Sequence, residues 1–210
     1  KAGCHRILLA PLYPQYAGAT TATANDQAFR TLTKMRWQPA VRTLPPYFEE
    51  PAYIDALADS IAAGVAALDF EPDVVITSYH GMPMDYLIQG DPYHCQCVKT
   101  TRLVREKLGW PEDKLMVTFQ SRFGGGEWLK PYTDATLEAL PKAGRKKIAI
   151  CAPAFSADCI ETLEEIAITG REQFEHAGGE KYAYIPCLND TGPGMDMLET
   201  IIRKELGGWI

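Results

Sequence analysis

The chain has 210 residues, of which 46% are apolar and 23% charged, a composition typical of a globular protein. Its 27 acidic and 21 basic residues give a net charge of −6, which argues against nucleic acid as the main partner, because binding to phosphates needs a basic surface. No apolar run approaches the roughly 20 residues that cross a bilayer. Six cysteines are spread thinly along the chain, which favours reduced thiols and a cytoplasmic location.

Strands and helices alternate along the sequence. Apolar and β-branched runs predict strands at residues 6–13, 37–43, 73–79, 115–119, 147–152 and 181–187. Helical spacing predicts helices at residues 26–35, from Pro51 onward, and at 99–108, 133–140, 160–176 and 195–206. This alternation indicates βαβ units. We therefore predict one Rossmann-like α/β domain over residues 1–210, with a mostly parallel sheet, helices on both faces and a closing helix at about 195–206.

Several polar and aromatic residues lie at or directly after the carboxyl ends of predicted strands. Tyr13, His80, Gln120 and Phe155 all occupy such positions. In an open parallel α/β sheet, ligands bind in the crevice beyond the carboxyl ends of the strands. We therefore expect these residues to gather along one edge of the sheet.

The stretch CAPAFSADCIETLEEIAITGRE predicts a strand end followed by an acidic helix, with Ser156 or Asp158 as the N-cap. Asp158, Glu161 and Glu165 recur at three- and four-residue steps, so they are expected on one helix face. A solvated acidic surface has the same pattern. Opposite an imidazole from His80, these acids would suit either a divalent metal such as Fe²⁺ or the stepwise removal of protons, and their spacing does not decide between the two.

Two further features bear on ligands. Cys95 and Cys97, beside His94, offer half of a zinc or iron–sulfur site, but the chain has no second close pair of cysteines. Aromatic residues are concentrated in or beside the predicted loops at the sheet edge: Tyr13, Tyr16, Tyr79, Tyr93, Phe123, Trp128 and Phe155. Such an aromatic surface would suit a large flat ligand.

One long segment is distinctive. VITSYHGMPMDYLIQGDPY, residues 75–93, closely resembles the signature of ferrochelatases. PLYPQYAGATT, QSRFGGGEWLKPYTD and APAFSADCIETLEEI resemble other characteristic segments of that family, in the same order. The resemblance therefore extends over essentially the whole chain. It implies a chelatase-type α/β fold and the insertion of ferrous iron into protoporphyrin IX, the last step of protoheme synthesis, with no cofactor beyond the substrate Fe²⁺.

The resemblance also implies roles for particular residues. His80 corresponds to the family's active-site histidine and Glu161 to its active-site glutamate, which face each other across the porphyrin cleft. Glu165 matches the next acid along the helix, and the implied metal-contacting set is His80, Glu161, Glu165 and Asp158. The residues at positions near the porphyrin are Tyr13, Tyr93, Trp128 and Phe155.

The chain departs from the family pattern at several points. Because Lys1 is not a methionine, we expect the sequence to begin inside a longer protein, without most of the family's N-terminal domain. Cys159 stands where many members have a histidine, and Thr169 stands where others have a further acid. Gly18 occupies the position of a cluster cysteine in animal members, and the C-terminal cysteine cluster is missing. The resemblance therefore implies no iron–sulfur centre.

Two other functions are compatible with these residues. A cobalt chelatase acting on sirohydrochlorin would share the histidine and the α/β architecture. A tetrapyrrole- or metal-binding domain without turnover is the second alternative, because part of the binding site is expected outside this chain. The expected partners are protoporphyrin IX and Fe²⁺, without nucleic acid or a transmembrane segment, and peripheral membrane contact is left open.

Overall fold

The structure is a computed structural model that describes residues 3–210. Its strands are β1 (Arg6–Leu9), β2 (Ala40–Thr43), β3 (Val74–His80), β4 (Leu115–Gln120), β5 (Lys147–Cys151) and β6 (Lys181–Tyr184). All strand pairs are parallel. They form a small sheet of β1 and β2 and a larger sheet in the order β4-β3-β5-β6. The predicted parallel α/β class is confirmed, although the strands divide between two sheets.

The helices account for most of the remaining chain. They are α1 (Thr23–Leu32), α2 (Pro51–Ala66), α3 (Met84–Ile88), α4 (Tyr93–Leu108), α5 (Thr133–Lys142), α6 (Ile160–Leu163), α7 (Arg171–His176) and α8 (Gly192–Glu205), with π-helical segments at Gly18–Ala22 and Glu165–Gly170. The predicted start of α4 at residue 99 is wrong, because the carboxylate of Asp91 accepts a hydrogen bond from the Tyr93 N–H at 3.0 Å and starts the helix earlier. The predicted closing helix is present as α8.

Helices cover both faces of the larger sheet. Val75 of β3 and Ala149 of β5 face a core that α2, α4 and α8 complete. Their neighbours Val74 and Ile148 face a second core, which includes Leu137 of α5 and side chains of the π-helical segment and α7. Because successive strand residues point to opposite faces, this division explains why β3 is buried nearly throughout.

The predicted continuous helix over residues 160–176 is wrong. The helix is interrupted after α6, where the Thr169 N–H donates to the Glu164 carbonyl five residues earlier, at 2.9 Å, in π-helical geometry. In the same segment the Tyr182 hydroxyl of β6 donates to the Ile166 carbonyl at 2.6 Å. The three- and four-residue spacing of the acids therefore does not place them on one α-helical face.

The ends of the strands determine where a site can form. His80 ends β3 and is paired in register with Gln120, which ends β4. The loops after β1, β3, β4 and β5 leave the sheets near this edge. None of the helices in the described part of the chain is long and apolar enough to cross a membrane.

Candidate active site

A cavity of about 640 Å³ lies at the carboxyl edge of the larger sheet. This volume falls within the roughly 300–1,000 Å³ that is usual for small-molecule sites. Its wall includes the two predicted catalytic residues and the four predicted substrate contacts, which are His80, Glu161, Tyr13, Tyr93, Trp128 and Phe155. The expected gathering of strand-end residues is thus observed for Tyr13, His80 and Phe155, whereas the side chain of Gln120 lies outside this cavity.

Among residues 3–210, His80 has a hydrogen-bond partner for one of its two ring nitrogens. Its Nδ1 lies 2.7 Å from the carbonyl oxygen of Gly81. Because a carbonyl oxygen only accepts hydrogen bonds, Nδ1 carries the proton, and Nε2 of the neutral ring keeps its lone pair. His80 is half-buried, and it therefore presents a proton acceptor at the cavity wall.

Glu161 lies in the first turn of α6 and lines the same cavity as His80. The N-cap of this helix is Cys159, whose N–H donates to Thr162 Oγ1 at 2.9 Å, so the predicted caps Ser156 and Asp158 are wrong. The Cys159 thiol donates to Glu161 Oε2 at 3.0 Å. This hydrogen bond lowers the pKa of Glu161, and the positive charge that His80 carries when it is protonated lowers it further. The carboxylate is therefore ionised at neutral pH and acts electrostatically on the imidazole.

The aromatic wall is held by backbone pairing. Trp128 is buried and forms an antiparallel bridge with Pro83, next to a hydrogen bond from the Leu129 N–H to the Met82 carbonyl at 2.9 Å. Phe123 packs against the Trp128 ring with centroids 5.0 Å apart, yet it is 72% exposed. The loop after β4 therefore adds exposed aromatic surface at the mouth of the cavity.

Tyr93 and Tyr13, two of the tyrosines that line the cavity, differ in environment. Tyr93 is buried, and its burial raises the pKa of the phenol well above its usual value. Tyr13 remains 44% exposed in the loop after β1. Tyr93 thus contributes an uncharged, buried side chain to the cavity, whereas the Tyr13 side chain is partly exposed.

Gln15 is a cavity residue that sequence reasoning missed. It is 1% exposed, and its Nε2 donates to Thr100 Oγ1 at 3.1 Å. Its Oε1 is buried beside the cavity without a hydrogen-bond partner among residues 3–210. A lone glutamine in a loop carries no spacing signal that would have identified this free acceptor.

Asp158 does not join the predicted acidic row. Its Oδ1 accepts a hydrogen bond from the Tyr184 hydroxyl at 2.6 Å and from Thr162 Oγ1 at 3.0 Å, and its Oδ2 accepts from Asn189 Nδ2 at 2.7 Å. Partial burial alone would raise the pKa of this carboxyl, but the hydrogen bonds from Asn189, Tyr184 and Cys187 outweigh that effect and lower it. The carboxylate ties α6 to the segment after β6, and its oxygens are engaged in that structural role.

Glu165 lies behind the wall that carries Glu161. Its carboxylate accepts hydrogen bonds from the Ser121 N–H at 2.7 Å and the Ser121 hydroxyl at 2.5 Å. It lines a separate cavity of about 240 Å³, together with Arg122 and Asp134. Glu161 and Glu165 therefore face different spaces.

The predicted metal-contacting set is not assembled as a cluster. Within residues 3–210, no group of three or more His, Cys, Asp or Glu side chains is arranged to hold a metal ion. Cys95 is exposed and Cys97 buried on α4, so the two thiols point to different sides of that helix and do not form half of a metal site. What the structure brings together is the pair of His80 and Glu161 in an aromatic cavity.

The parallel fold, with its cavity at the strand ends, defines a chelatase-type α/β protein. SirB from Bacillus subtilis, solved with Fe³⁺, superposes with a TM-score of 0.66 at 11% identity, covering 97% of this chain and 72% of SirB. A multi-domain protein from Deinococcus radiodurans, described as structurally similar to chelatases, gives a TM-score of 0.56 at 11% identity, covering 94% of this chain and 41% of that one.

The chain belongs to the ferrochelatase family, whose family model, described as Ferrochelatase, matches residues 1–206. Ferrochelatases from Allorhizobium ampelinum and Rhizobium meliloti are 64% and 63% identical to it over 210 residues. The alignments cover 100% of this chain but 61% and 62% of those relatives. The chain therefore spans about three fifths of the length of the curated relatives it matches.

Proposed function

We propose that the intact protein inserts Fe²⁺ into protoporphyrin IX to form protoheme. The observation that carries this proposal is the meeting of His80 and Glu161 in one aromatic cavity of about 640 Å³. Family membership supports the same reaction. The aromatic side chains Tyr13, Trp128 and Phe155 offer flat apolar surface to a macrocycle.

His80 is the proton acceptor in this proposal. Insertion replaces two pyrrole N–H bonds with bonds from nitrogen to iron, so two protons leave the macrocycle for each Fe²⁺ that enters. Nε2 of His80 is free to accept a proton, because Nδ1 is held by the Gly81 carbonyl. A porphyrin bent toward this nitrogen exposes its N–H groups, at a cost in strain of about 1–5 kcal/mol that binding elsewhere must offset.

Glu161 stabilises the imidazolium that forms when His80 takes a proton. Its pKa is lowered, first by the Cys159 hydrogen bond, so the carboxylate is charged when the proton arrives. Glu165 does not line the main cavity. It is the first residue of the π-helical segment that follows α6. We assign Glu165 to the outward passage of protons or the delivery of metal through the second cavity, in keeping with its position behind Glu161.

The same cavity is compatible with two other outcomes. Binding of a tetrapyrrole without turnover is favoured by the share of the relatives' length, about 61%, that this chain covers. A cobalt chelatase acting on sirohydrochlorin is the other, because a parallel α/β fold with a cavity at the sheet edge does not by itself select the metal or the tetrapyrrole.

A matrix of two metals and two tetrapyrroles separates these functions. The intact protein is incubated without oxygen with Fe²⁺ or Co²⁺ and either protoporphyrin IX or sirohydrochlorin, and insertion is followed by absorbance. We expect the fastest insertion with Fe²⁺ and protoporphyrin IX. Preference for Co²⁺ and sirohydrochlorin would contradict the proposal, and a shift of the porphyrin absorption band without insertion would identify a binding domain.

We infer a reducing compartment, the cytoplasm, for this reaction. The six cysteines are free in the part of the chain that the structure describes, and Cys97 and Cys151 are buried. Free thiols persist where glutathione and thioredoxin keep the medium reduced. Labelling of the thiols in the protein isolated under non-oxidising conditions should recover all six unpaired, and a recovered disulfide would contradict the inference.

A further inference from the structure

Gln120 connects the strand that carries His80 to the helix that carries Glu161. It is the last residue of β4, is paired in register with His80, and is 3% exposed. Its backbone carbonyl accepts a hydrogen bond from the Gly81 N–H at 2.7 Å. The backbone of Gln120 is thus fixed relative to His80 by the sheet.

The side-chain amide of Gln120 makes the connection on the other side. Its Nε2 donates to the backbone carbonyl of Glu161 at 2.8 Å, and its Oε1 accepts from the Ser78 hydroxyl at 2.8 Å. The orientation of the amide follows from chemistry, because the Glu161 carbonyl only accepts and therefore faces the NH₂ group. Ser78 in turn lies 2.8 Å from Thr133 Oγ1 in a buried hydroxyl cluster. Both polar ends of this buried side chain are satisfied.

The segment that holds Glu161 depends on such ties. α6 has four residues and runs directly into the π-helical segment. A helix this short gains little stability from its own hydrogen bonds, because they are offset by the conformational entropy lost in forming the first turn. Its position relative to β3 is therefore set by contacts from outside, among which Gln120 binds the peptide of Glu161 itself.

From this geometry we propose that Gln120 is a positioning residue that holds Glu161 in place in the cavity that His80 also lines. Gln120 lies outside the main cavity and lines the second cavity with Glu165, whose Oε2 is 3.5 Å from Gln120 Nε2. The pairing of β3 and β4 fixes the backbone of Gln120, and the side chain of Gln120 in turn fixes the position of the first turn of α6 relative to these strands. The inference rests on the proposed iron insertion and adds a specific residue to that site.

The test is Gln120→Met in the intact protein, which keeps the length of the side chain and removes its hydrogen bonds with Ser78, the Glu161 carbonyl and, at 3.5 Å, the Glu165 carboxylate. A misplaced catalytic group lowers kcat, since displacement by about 1 Å costs up to 10²-fold in rate. We expect kcat for iron insertion to fall about tenfold or more, while KM for porphyrin and for Fe²⁺ each change less than about twofold. All rates are measured well below the melting temperature of each variant.

Two further variants make the test specific. Ser78→Ala removes the hydrogen bond that orients the amide and leaves the Gln120 side chain present, so we expect a smaller loss of kcat, about threefold or more, again with KM unchanged. The matched control is Gln38→Met, because Gln38 also donates from Nε2 to a backbone carbonyl, that of Leu32, at 2.8 Å, but lies outside the cavity. This control should retain full kcat.

The outcomes separate the inference from the function on which it rests. If Gln120→Met has an unchanged kcat and only a lower melting temperature, the role of Gln120 is merely structural and the inference alone is overturned. If Gln120→Met does not fold, the same result for Ser78→Ala overturns the inference. An unmodified protein that inserts no iron would overturn the proposed function and the inference with it.

Discussion

The Cys159 thiol donates a hydrogen bond to the Glu161 carboxylate, with Sγ and Oε2 3.0 Å apart. Partial burial raises the pKa of this thiol, and the bond to Glu161 adds to the shift, so the thiol keeps its proton at neutral pH. In this chain the neighbour of the carboxylate is therefore a fixed donor rather than a group that exchanges protons near pH 7.

Cys159→Ala should move the acidic limb of the profile of kcat against pH to higher pH. The hydrogen bond favours the ionised form of Glu161, so its loss raises the pKa of that carboxyl. By linkage, the lowered pKa stabilises the fold above the pKa of the unfolded chain, and this contribution disappears as pH falls through the folded pKa. The measurement is the pH profile of iron insertion, with Cys95→Ala, an exposed cysteine on α4, as control. An unshifted limb would contradict the expected role of the thiol.

Gly81→Ala should destabilise the strand end that carries His80. A Cβ atom at this position would lie 2.6 Å from the Gln120 carbonyl oxygen and 3.2 Å from Trp128 Cε3, and the first of these atoms is backbone. Overpacking of this kind costs about 1–3 kcal/mol. Urea unfolding measures the change, with Gly192→Ala as control because nothing lies within 4 Å of its Cβ position. Equal free energies of unfolding for the two variants would show that the strand end accommodates the added methyl group without loss of stability.

Asp158→Asn should lower stability through the junction of α6 and β6. The carboxylate accepts hydrogen bonds from Tyr184, Asn189 and Thr162, and bonds to charged groups contribute about 1.5–3 kcal/mol each. In asparagine an NH₂ group takes the place of one carboxylate oxygen, so a donor would face the groups that now donate to Asp158. We expect a lower free energy of unfolding at pH 7, measured against Asp196→Asn, whose side chain is exposed on α8. An equally stable variant would argue against the structural assignment of Asp158.

Trp128→Ala should weaken porphyrin binding. The indole forms a buried part of the cavity wall and supports the exposed ring of Phe123. Loss of one aromatic contact of about 1.5 kcal/mol raises Kd about tenfold. Quenching of porphyrin fluorescence measures the affinity, and Trp37→Ala, which removes an indole that is 60% exposed outside the cavity, should leave it unchanged. Equal affinity of both variants would place the porphyrin elsewhere.

The fold class was predictable because its signal is repeated along the chain. The alternation of apolar strands with helical spacing indicated a parallel α/β protein, and the structure confirms it. The interruption between α6 and α7 was not predictable, since one π-helical bond shifts the phase of a helix without changing its composition. For the same reason the spacing of Asp158, Glu161 and Glu165 indicated a shared face that the structure does not form.

The site was predictable only where a motif marked it. His80 and Glu161 lie in segments that resemble family signatures, and the structure places both in the lining of one cavity. Their catalytic roles remain predictions. Gln15 and Gln120 are single buried amides whose importance depends on partners far away in the sequence, such as Thr100 for Gln15. The strand-end position singled out Gln120 as a residue of the sheet edge, but no local pattern identified its hydrogen bond to Glu161 or the buried amide of Gln15.

The rate of iron insertion by His80→Ala, measured in the intact protein with porphyrin binding followed in parallel, tests most directly whether the imidazole accepts the pyrrole protons. General-base catalysis contributes about 10²–10⁴-fold. We expect a loss of rate of about this size, with porphyrin still bound and with His176→Ala, at the end of α7, fully active. A rate close to that of the unmodified protein would contradict the assignment of His80 as the proton acceptor.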